Sequence, residues 1–186
     1  MKPTIRIGLD LDGVIVDKPP GIPKGAIEWL VRSHTGKGLA YRFPTSRIER
    51  TIRWLSHAPL LRPPIKENLD ALKKIIRHKG TKLYLISGRY AFLKDRTEKW
   101  LKCHQLSSCF ERVMLNLENT QPHIFKEEKI RELDIQVFVD DDAPLVEYLS
   151  KKFPERRLLC LNKKNTGKKE TLSLQWIEKL EEAIPK

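Results

Sequence analysis

Five short segments of the chain, residues 4–9, 82–86, 112–115, 136–139 and 157–161, are dominated by aliphatic and β-branched residues. A strand that is apolar on both faces has to be covered on both faces. Between these segments lie stretches of helical period. Ile65, Leu69, Leu72 and Ile76 fall on one helical face, Leu145, Val146 and Leu149 on another, and Ile177, Leu180 and Ile184 predict a last helix. Continuous apolar strands alternating with such helices predict the α/β class, a three-layer α/β/α sandwich around a parallel sheet. In that architecture ligands bind beyond the carboxyl ends of the strands.

About 70 residues separate the first strand from the second, far more than a crossover requires. An insertion is expected there, flanked by Pro19, Pro20 and Pro23 on one side and Pro59, Pro63 and Pro64 on the other. The predicted organisation is a core made of residues 1–17 and 65–186 and a small helical module at 18–64. Within the module one helix is expected near 24–34, a link at Gly36, Lys37 and Gly38, and a second helix near 46–57.

A length of 186 residues fits one ordinary domain, and 32% charged residues with clear apolar periodicity indicate a folded chain. No apolar run approaches the ~20 residues that span a bilayer, and Met1 and Lys2 lead into a strand without a signal-type apolar region. The expectation is a soluble, cytoplasmic protein with no membrane partner. Cys103, Cys109 and Cys160 are odd in number and form no C-x-x-C, so buried thiols are expected instead of a disulfide framework or zinc knuckle. The five histidines show no ligand spacing, and the absence of a Gly-rich nucleotide loop argues against a kinase or dehydrogenase. A net charge of +12 attracts anions without choosing among nucleic acid, acidic lipid and a phosphorylated small molecule.

Aspartate placement is more selective. Of nine in the chain, five follow directly on two apolar strands: Asp10 and Asp12 after the first, Asp140, Asp141 and Asp142 after the fourth. Parallel strands open on the same edge, and carboxylates gathered there repel one another unless a cation joins them. All-oxygen ligands suit magnesium. Asp10 and Asp12, two apart in extended chain, have Cα atoms roughly 6–7 Å apart on one side. One could bind metal and attack while the other protonates a leaving oxygen. Gly13 follows, where the chain turns beside a ligand.

The strand at 82–86 runs into Ser87, Gly88 and Arg89, whose hydroxyl and N–H groups suit a phosphate. Lys126 is read as opening a helix at 126–133, the end where the helix dipole disfavours a cation unless an anion is near. Each signal has an ordinary alternative. Asp142 before Ala143 is equally a helix cap, Ser87 a turn serine, and Lys126 a surface lysine with Lys129 competing for its role.

Taken together, these residues resemble the haloacid dehalogenase superfamily of phosphotransferases. Its first motif, D-x-D-G-[TV] after an apolar strand, is similar to residues 7–16 with Asp10, Asp12 and Gly13; its second to Ser87 and Gly88; its third to Lys126; its acidic fourth to Asp140 and Asp141. Four motifs agree in order across about 130 residues. The resemblance implies that Asp10 is a nucleophile forming an aspartyl-phosphate and Asp12 a general acid and then base. It implies Mg²⁺ held by the Asp10 carboxylate, the Asp12 carbonyl and Asp141, with Asp140 as helper, the triple Asp leaving the register open. Ser87, Gly88 and Lys126 would hold phosphoryl oxygens. Residues 10–17, Ser87 to Arg89, residues 97–101 and the 14-residue step from Lys126 to Asp140 also resemble the 5'-nucleotidase and 5'(3')-deoxyribonucleotidase-like branch. A small phosphorylated substrate follows, with a nucleoside monophosphate as the first choice.

The inserted module is basic, with Arg32, Lys37, Arg42, Arg47, Arg50 and Arg53 against Glu28 and Glu49. Over the strand ends it would steer anions inward. Trp29 and Trp54 lie off the apolar stripes of their predicted helices, so stacking on a nucleobase competes with packing against the core. A basic run at 151–169 supports a rival function, a polynucleotide end phosphatase or a nucleic-acid-binding protein of the same fold. No feature of the sequence specifies an oligomeric state.

Overall fold

Strands whose residues are apolar at successive positions pack into the middle of the molecule, and those of this chain form one parallel sheet. The computed structural model describes residues 4–21, 39–161 and 174–184. Its strands are β1 (Ile5–Leu9), β2 (Thr81–Tyr90), β3 (Arg112–Asn116), β4 (Val137–Asp140), β5 (Arg157–Leu161) and β6 (Gln175–Ile177), in spatial order β3-β2-β1-β4-β5-β6 with every pairing parallel. Among the described residues five α-helices accompany them: α1 (Arg47–Ser56), α2 (Lys66–Arg77), α3 (Lys94–Cys103), α4 (Pro122–Glu132) and α5 (Ala143–Lys152).

Alternate strand residues feed two cores. Ile7, Leu9, Leu83, Leu85, Val137 and Val139 pack with Ala71, Leu72 and Ile75 of α2 and Trp100 and Leu101 of α3. Tyr84, Ile86, Phe138 and Leu158 face the other way, onto Phe125 and Ile130 of α4 and Leu145, Val146 and Leu149 of α5. Helices thus cover both faces, which is the predicted three-layer α/β/α sandwich. The chain builds outward from β1 through β2 to β3, then crosses back to place β4 on the other side of β1. The β1/β4 boundary is therefore the point at which strand order reverses, where α/β folds bind ligands.

Some boundaries differ from the sequence reading. Ile177 belongs to β6 and Leu180–Ala183 to a short 3₁₀ turn, so the predicted last helix is absent among the described residues. The side chains of Leu180 and Ala183 are nevertheless buried, which is why the apolar spacing imitated a helix. The buried face of α2 is Asn68, Ala71, Leu72 and Ile75, leaving Ile76 exposed. Strand β2 runs on to Tyr90, with a register shift between Ser87 and Tyr90. Of the three free thiols only Cys160 is buried; Cys103 is exposed.

Between β1 and β2 the chain departs and returns side by side. Ile65 N–H donates to Ile15 O and Asp17 N–H to Pro63 O, each at 2.8 Å. Helix α1 matches the predicted second helix of the insertion, with Ser46 Oγ accepting from Glu49 N–H as the N-cap. Its orientation is unexpected: Arg53 is buried, while Ile48, Ile52 and Leu55 are exposed. The predicted helix near 24–34, Trp29, the Gly36 to Gly38 link and the basic residues Lys163, Lys164, Lys168 and Lys169 lie outside the described residues. No helix among the described residues is long and apolar enough to cross a membrane.

Candidate functional site

Asp10 stands directly beyond β1, where its N–H donates to Val139 O at 2.9 Å, so the ends of β1 and β4 are tied together at the reversal point. The turn after it is tight. Gly13 N–H donates to Val16 O at 2.8 Å, and Val16 N–H to Leu11 O at 2.8 Å. Gly13 has φ +76°, and a Cβ placed there would collide with the Asp141 carboxyl group. Glycine at this position therefore satisfies the backbone and makes room for an acidic group of the neighbouring strand end.

The two aspartates of the first turn go to different partners. Asp10 is buried, and its Oδ1 lies 2.8 Å from Lys126 Nζ. The same ammonium donates to Asp140 Oδ2 at 2.6 Å. Asp10, Asp140 and Asp141 each offer a carboxylate oxygen, all within 4.8 Å of one another. Burial pushes the Asp10 and Asp140 carboxyl groups up, with Lys126 pulling the other way. Burial alone would lower Lys126, but the two carboxylates hold it above its ordinary value. Lys126 bridges Asp10 and Asp140, and Asp141 adds a third carboxylate oxygen within reach of both, so the donor set is all oxygen, which fits a hard divalent cation.

Asp140 is tied at both oxygens, since its Oδ1 accepts from Asp142 N–H at 3.0 Å. Asp142 occupies the N-cap position of α5 without making a side-chain cap; its Oδ2 accepts from Tyr41 Oη–H at 2.6 Å. Tyr41 is further fixed through Gln121, whose amide group exchanges hydrogen bonds with the Tyr41 backbone at 2.9 and 3.1 Å. The segment before α1 is thereby docked onto the start of α4 and the end of β4.

Asp12 points toward the insertion instead. Arg89 Nε donates to its Oδ2 at 2.6 Å and Arg89 Nη2 to its Oδ1 at 2.7 Å, and Arg62 Nη2 also donates to Oδ1. Burial by itself would raise the Asp12 carboxyl, but Arg89 and then Arg62 hold it well below the usual carboxylate range. The Asp12 side chain is outside the cluster formed by Asp10, Asp140 and Asp141. His57, the C-cap of α1, is lowered to about 3 by burial and by the two arginines.

Ser87 is fully buried within β2, two residues past the Leu9–Leu85 pair and at the start of the register shift, with Arg89 N–H 3.4 Å from its Oγ. Gly88 allows a close approach: a Cβ there would stand 2.9 Å from Pro122 Cβ and 3.6 Å from Lys126 Cε. Lys126 lies inside α4, which begins at Pro122, and does not open a helix as the sequence reading had it. Its position is explained by the two buried carboxylates it meets, without the dipole argument. Lys129, the competing lysine, pairs with Glu132 at 2.6 Å.

All seven residues singled out from the sequence, Asp10, Asp12, Ser87, Gly88, Lys126, Asp140 and Asp141, thus sit at the carboxyl edge of the sheet. The sequence did not reveal Arg62, Tyr41 and His57 at this edge, nor that Arg89 pairs with Asp12. Arg89 carried a signal in its place directly after Ser87 and Gly88; the other three meet the site only through long-range folding.

No protein-family model matches the sequence, and no curated protein matches it either. Solved structures do. A haloacid dehalogenase-like family hydrolase from Streptococcus pneumoniae superposes with a TM-score of 0.55 at 10% identity over 88% of this chain and 87% of that one. A HAD-superfamily hydrolase of subfamily IA, variant 1, from Geobacter sulfurreducens gives 0.53 at 14% identity over 96% and 94%. A HAD family enzyme from Bacteroides thetaiotaomicron, solved as a mutant in complex with magnesium and inorganic phosphate, gives 0.52 at 16% identity over 89% and 97%. At these identities the likeness is one of fold.

Proposed function

We propose, from a fold shared with HAD-type hydrolases and the residues gathered at its strand ends, that the chain is a Mg²⁺-dependent phosphomonoester hydrolase working through an aspartyl-phosphate. The observation that carries this reading is Lys126 held between buried Asp10 and Asp140, with Asp141 in reach of both, at the point where strand order reverses. A neighbour of the same fold binding magnesium and phosphate supports it.

In this reading Asp10 attacks phosphorus in line, forming the acyl-phosphate bond as the ester oxygen leaves with a proton from Asp12. Asp12 then takes a proton from water as that water attacks phosphorus, and phosphate departs with Asp10 restored. Arg89 and Arg62 hold Asp12 as the carboxylate, the form that the second step uses as base. The first step needs Asp12 protonated: one arginine contact loosens, Asp12 takes a proton from solvent and passes it to the ester oxygen, and the second step returns a proton to it. Lys126, Ser87 and the Gly88 N–H face the phosphoryl oxygens, Lys126 also screening the charge of Asp10. Asp10, Asp141 and the Asp12 carbonyl would hold the metal, with Asp140 positioning Lys126. When bound, magnesium neutralises charge on the phosphoryl oxygens.

The insertion at 18–64, which leaves and rejoins the core at adjacent points, acts as a small cap that brings Arg62 and Tyr41 to the site. The substrate is a small phosphorylated molecule, with nucleoside monophosphates as the leading class. The test is Mg²⁺-dependent phosphate release from nucleoside monophosphates, sugar phosphates and phosphorylated oligonucleotides, with Asp10→Asn as control. Release lost in Asp10→Asn is expected; release that survives it would overturn the assignment.

A further inference from the structure

Two buried guanidinium groups face one carboxylate beside the proposed reaction centre. Arg62 and Arg89 are 6% and 8% exposed, and both donate to Asp12. Asp17 also acts on Arg62, but its side chain is exposed and its charge is screened. Inside the cluster positive charge exceeds negative, and buried charge without a counter-charge is costly.

The two arginines are held differently. Arg89 is fixed at three nitrogens, since its Nη1 also donates to Thr97 Oγ1 at 3.1 Å, and Thr97 is anchored to Leu93 O at 2.9 Å. Arg62 has Asp12 Oδ1 as the one acceptor of its guanidinium among the described residues, and its Nε–H is buried with no acceptor. Its backbone is firm, because the fully buried Trp100 donates Nε1–H to Arg62 O at 2.6 Å. A rigidly anchored arginine with an unfilled buried donor, beside a residue that faces the leaving group, matches the planar fork that binds phosphate.

We propose that Arg62 and Arg89 form a second anion subsite, which takes a phosphate or phosphodiester carried on the leaving-group side of the scissile phosphate. The assignment rests on the phosphomonoesterase reading of Asp10 and Asp12. Arg62 exchanges part of its contact with Asp12 for the second anion, while Arg89 keeps Asp12 in place. A nucleoside bisphosphate and a phosphorylated oligonucleotide end both present this chemistry.

The experiment compares a nucleoside 5'-monophosphate, the matching 3',5'-bisphosphate and an oligonucleotide with a terminal phosphate, for the wild type, Arg62→Gln and Arg62→Lys. The wild type should favour at least one doubly anionic substrate by about tenfold or more in kcat/KM, the size of a charge-assisted contact. Arg62→Gln should remove that preference through KM, and Arg62→Lys should restore part of it. Preference for the bisphosphate identifies a small molecule as the source, and preference for the oligonucleotide identifies a nucleic-acid end. Equal kcat/KM on mono- and doubly anionic substrates in the wild type, or an equal loss on both in Arg62→Gln, would overturn the subsite. Calorimetric binding of the bisphosphate and monophosphate to Asp10→Asn separates the two claims. Arg62-dependent preference in binding without turnover by the wild type would keep the subsite and remove the hydrolase.

Discussion

Lys126 Nζ lies 2.8 Å from Asp10 Oδ1, with both side chains almost wholly out of solvent. An ammonium buried against two carboxylates is strongly favoured over either partner alone, because each desolvated charge needs the other.

Replacing Lys126 by Met leaves Asp10 and Asp140 facing each other without their cation. The loss should be about 3 kcal/mol at neutral pH, the lower end for breaking a buried pair. Because burial already raises both carboxyl groups, the deficit grows as pH rises above the ordinary carboxylate range and shrinks as pH falls back to it, the folded chain taking up protons before the unfolded one does. Mg²⁺ should raise the melting temperature of Lys126→Met more than that of the wild type. Thermal melts of both proteins with and without Mg²⁺ check this, and an equal shift in the two would contradict it.

Gly13 and Gly21 both have positive φ, +76° and +82°, but among the described residues only Gly13 of the two faces a neighbour, the Asp141 carboxyl. Alanine at either position should cost ~1–2 kcal/mol of backbone strain. Gly13→Ala alone should also displace Asp141 and raise the Mg²⁺ concentration needed for half-maximal activity. A Mg²⁺ titration of both variants separates strain from site damage; identical curves would remove the link between Gly13 and the metal.

His57 provides a pH signature. Its folded pKa of about 3 lies below its ordinary 6.5, so between these values the unfolded chain binds a proton that the folded chain does not. Stability from this group is complete above pH ~6.5 and falls as pH drops toward 3, at up to about 1.4 kcal/mol per pH unit. His57→Gln should flatten the decline between pH 6.5 and 5 in urea melts. Parallel profiles for variant and wild type would mean that His57 is not kept neutral by the fold.

Asp140 and Asp141 should separate by phenotype. Asp140 serves Lys126 and the Asp142 N–H, so Asp140→Asn should lower the melting temperature of the metal-free protein more than Asp141→Asn does. Asp141→Asn should weaken apparent Mg²⁺ affinity by about tenfold or more. The reverse ranking would exchange the two roles.

The strands were legible because burial on both faces writes continuous apolar runs at residues 4–9 and 136–139 that no helix needs. The acidic edge was legible because Asp10, Asp12, Asp140 and Asp141 follow those runs directly. Helix α1 was placed near 46–57 with Ile48, Ile52 and Leu55 on one face, yet its orientation was not legible, since that stripe turned outward and Arg53 inward. Strand β6 is three residues long, too short for a periodic signal. The start of α4 was read four residues late because Gln121 and Pro122 supply its N-terminus without a hydroxyl or carboxylate cap. Arg62 meets Asp12 across 50 positions and Tyr41 meets Asp142 across 101. Such pairs are set by the fold and leave no spacing in the sequence.

The central claim is a covalent phosphoryl group on Asp10, and borohydride trapping during turnover addresses it most directly. Borohydride reduces an acyl-phosphate to the alcohol, so peptide mapping after reaction with substrate and Mg²⁺ should find homoserine at position 10 and nowhere else. Omitting substrate should abolish the signal. Turnover that proceeds without homoserine at position 10, or with the modification at another carboxylate, would contradict the account.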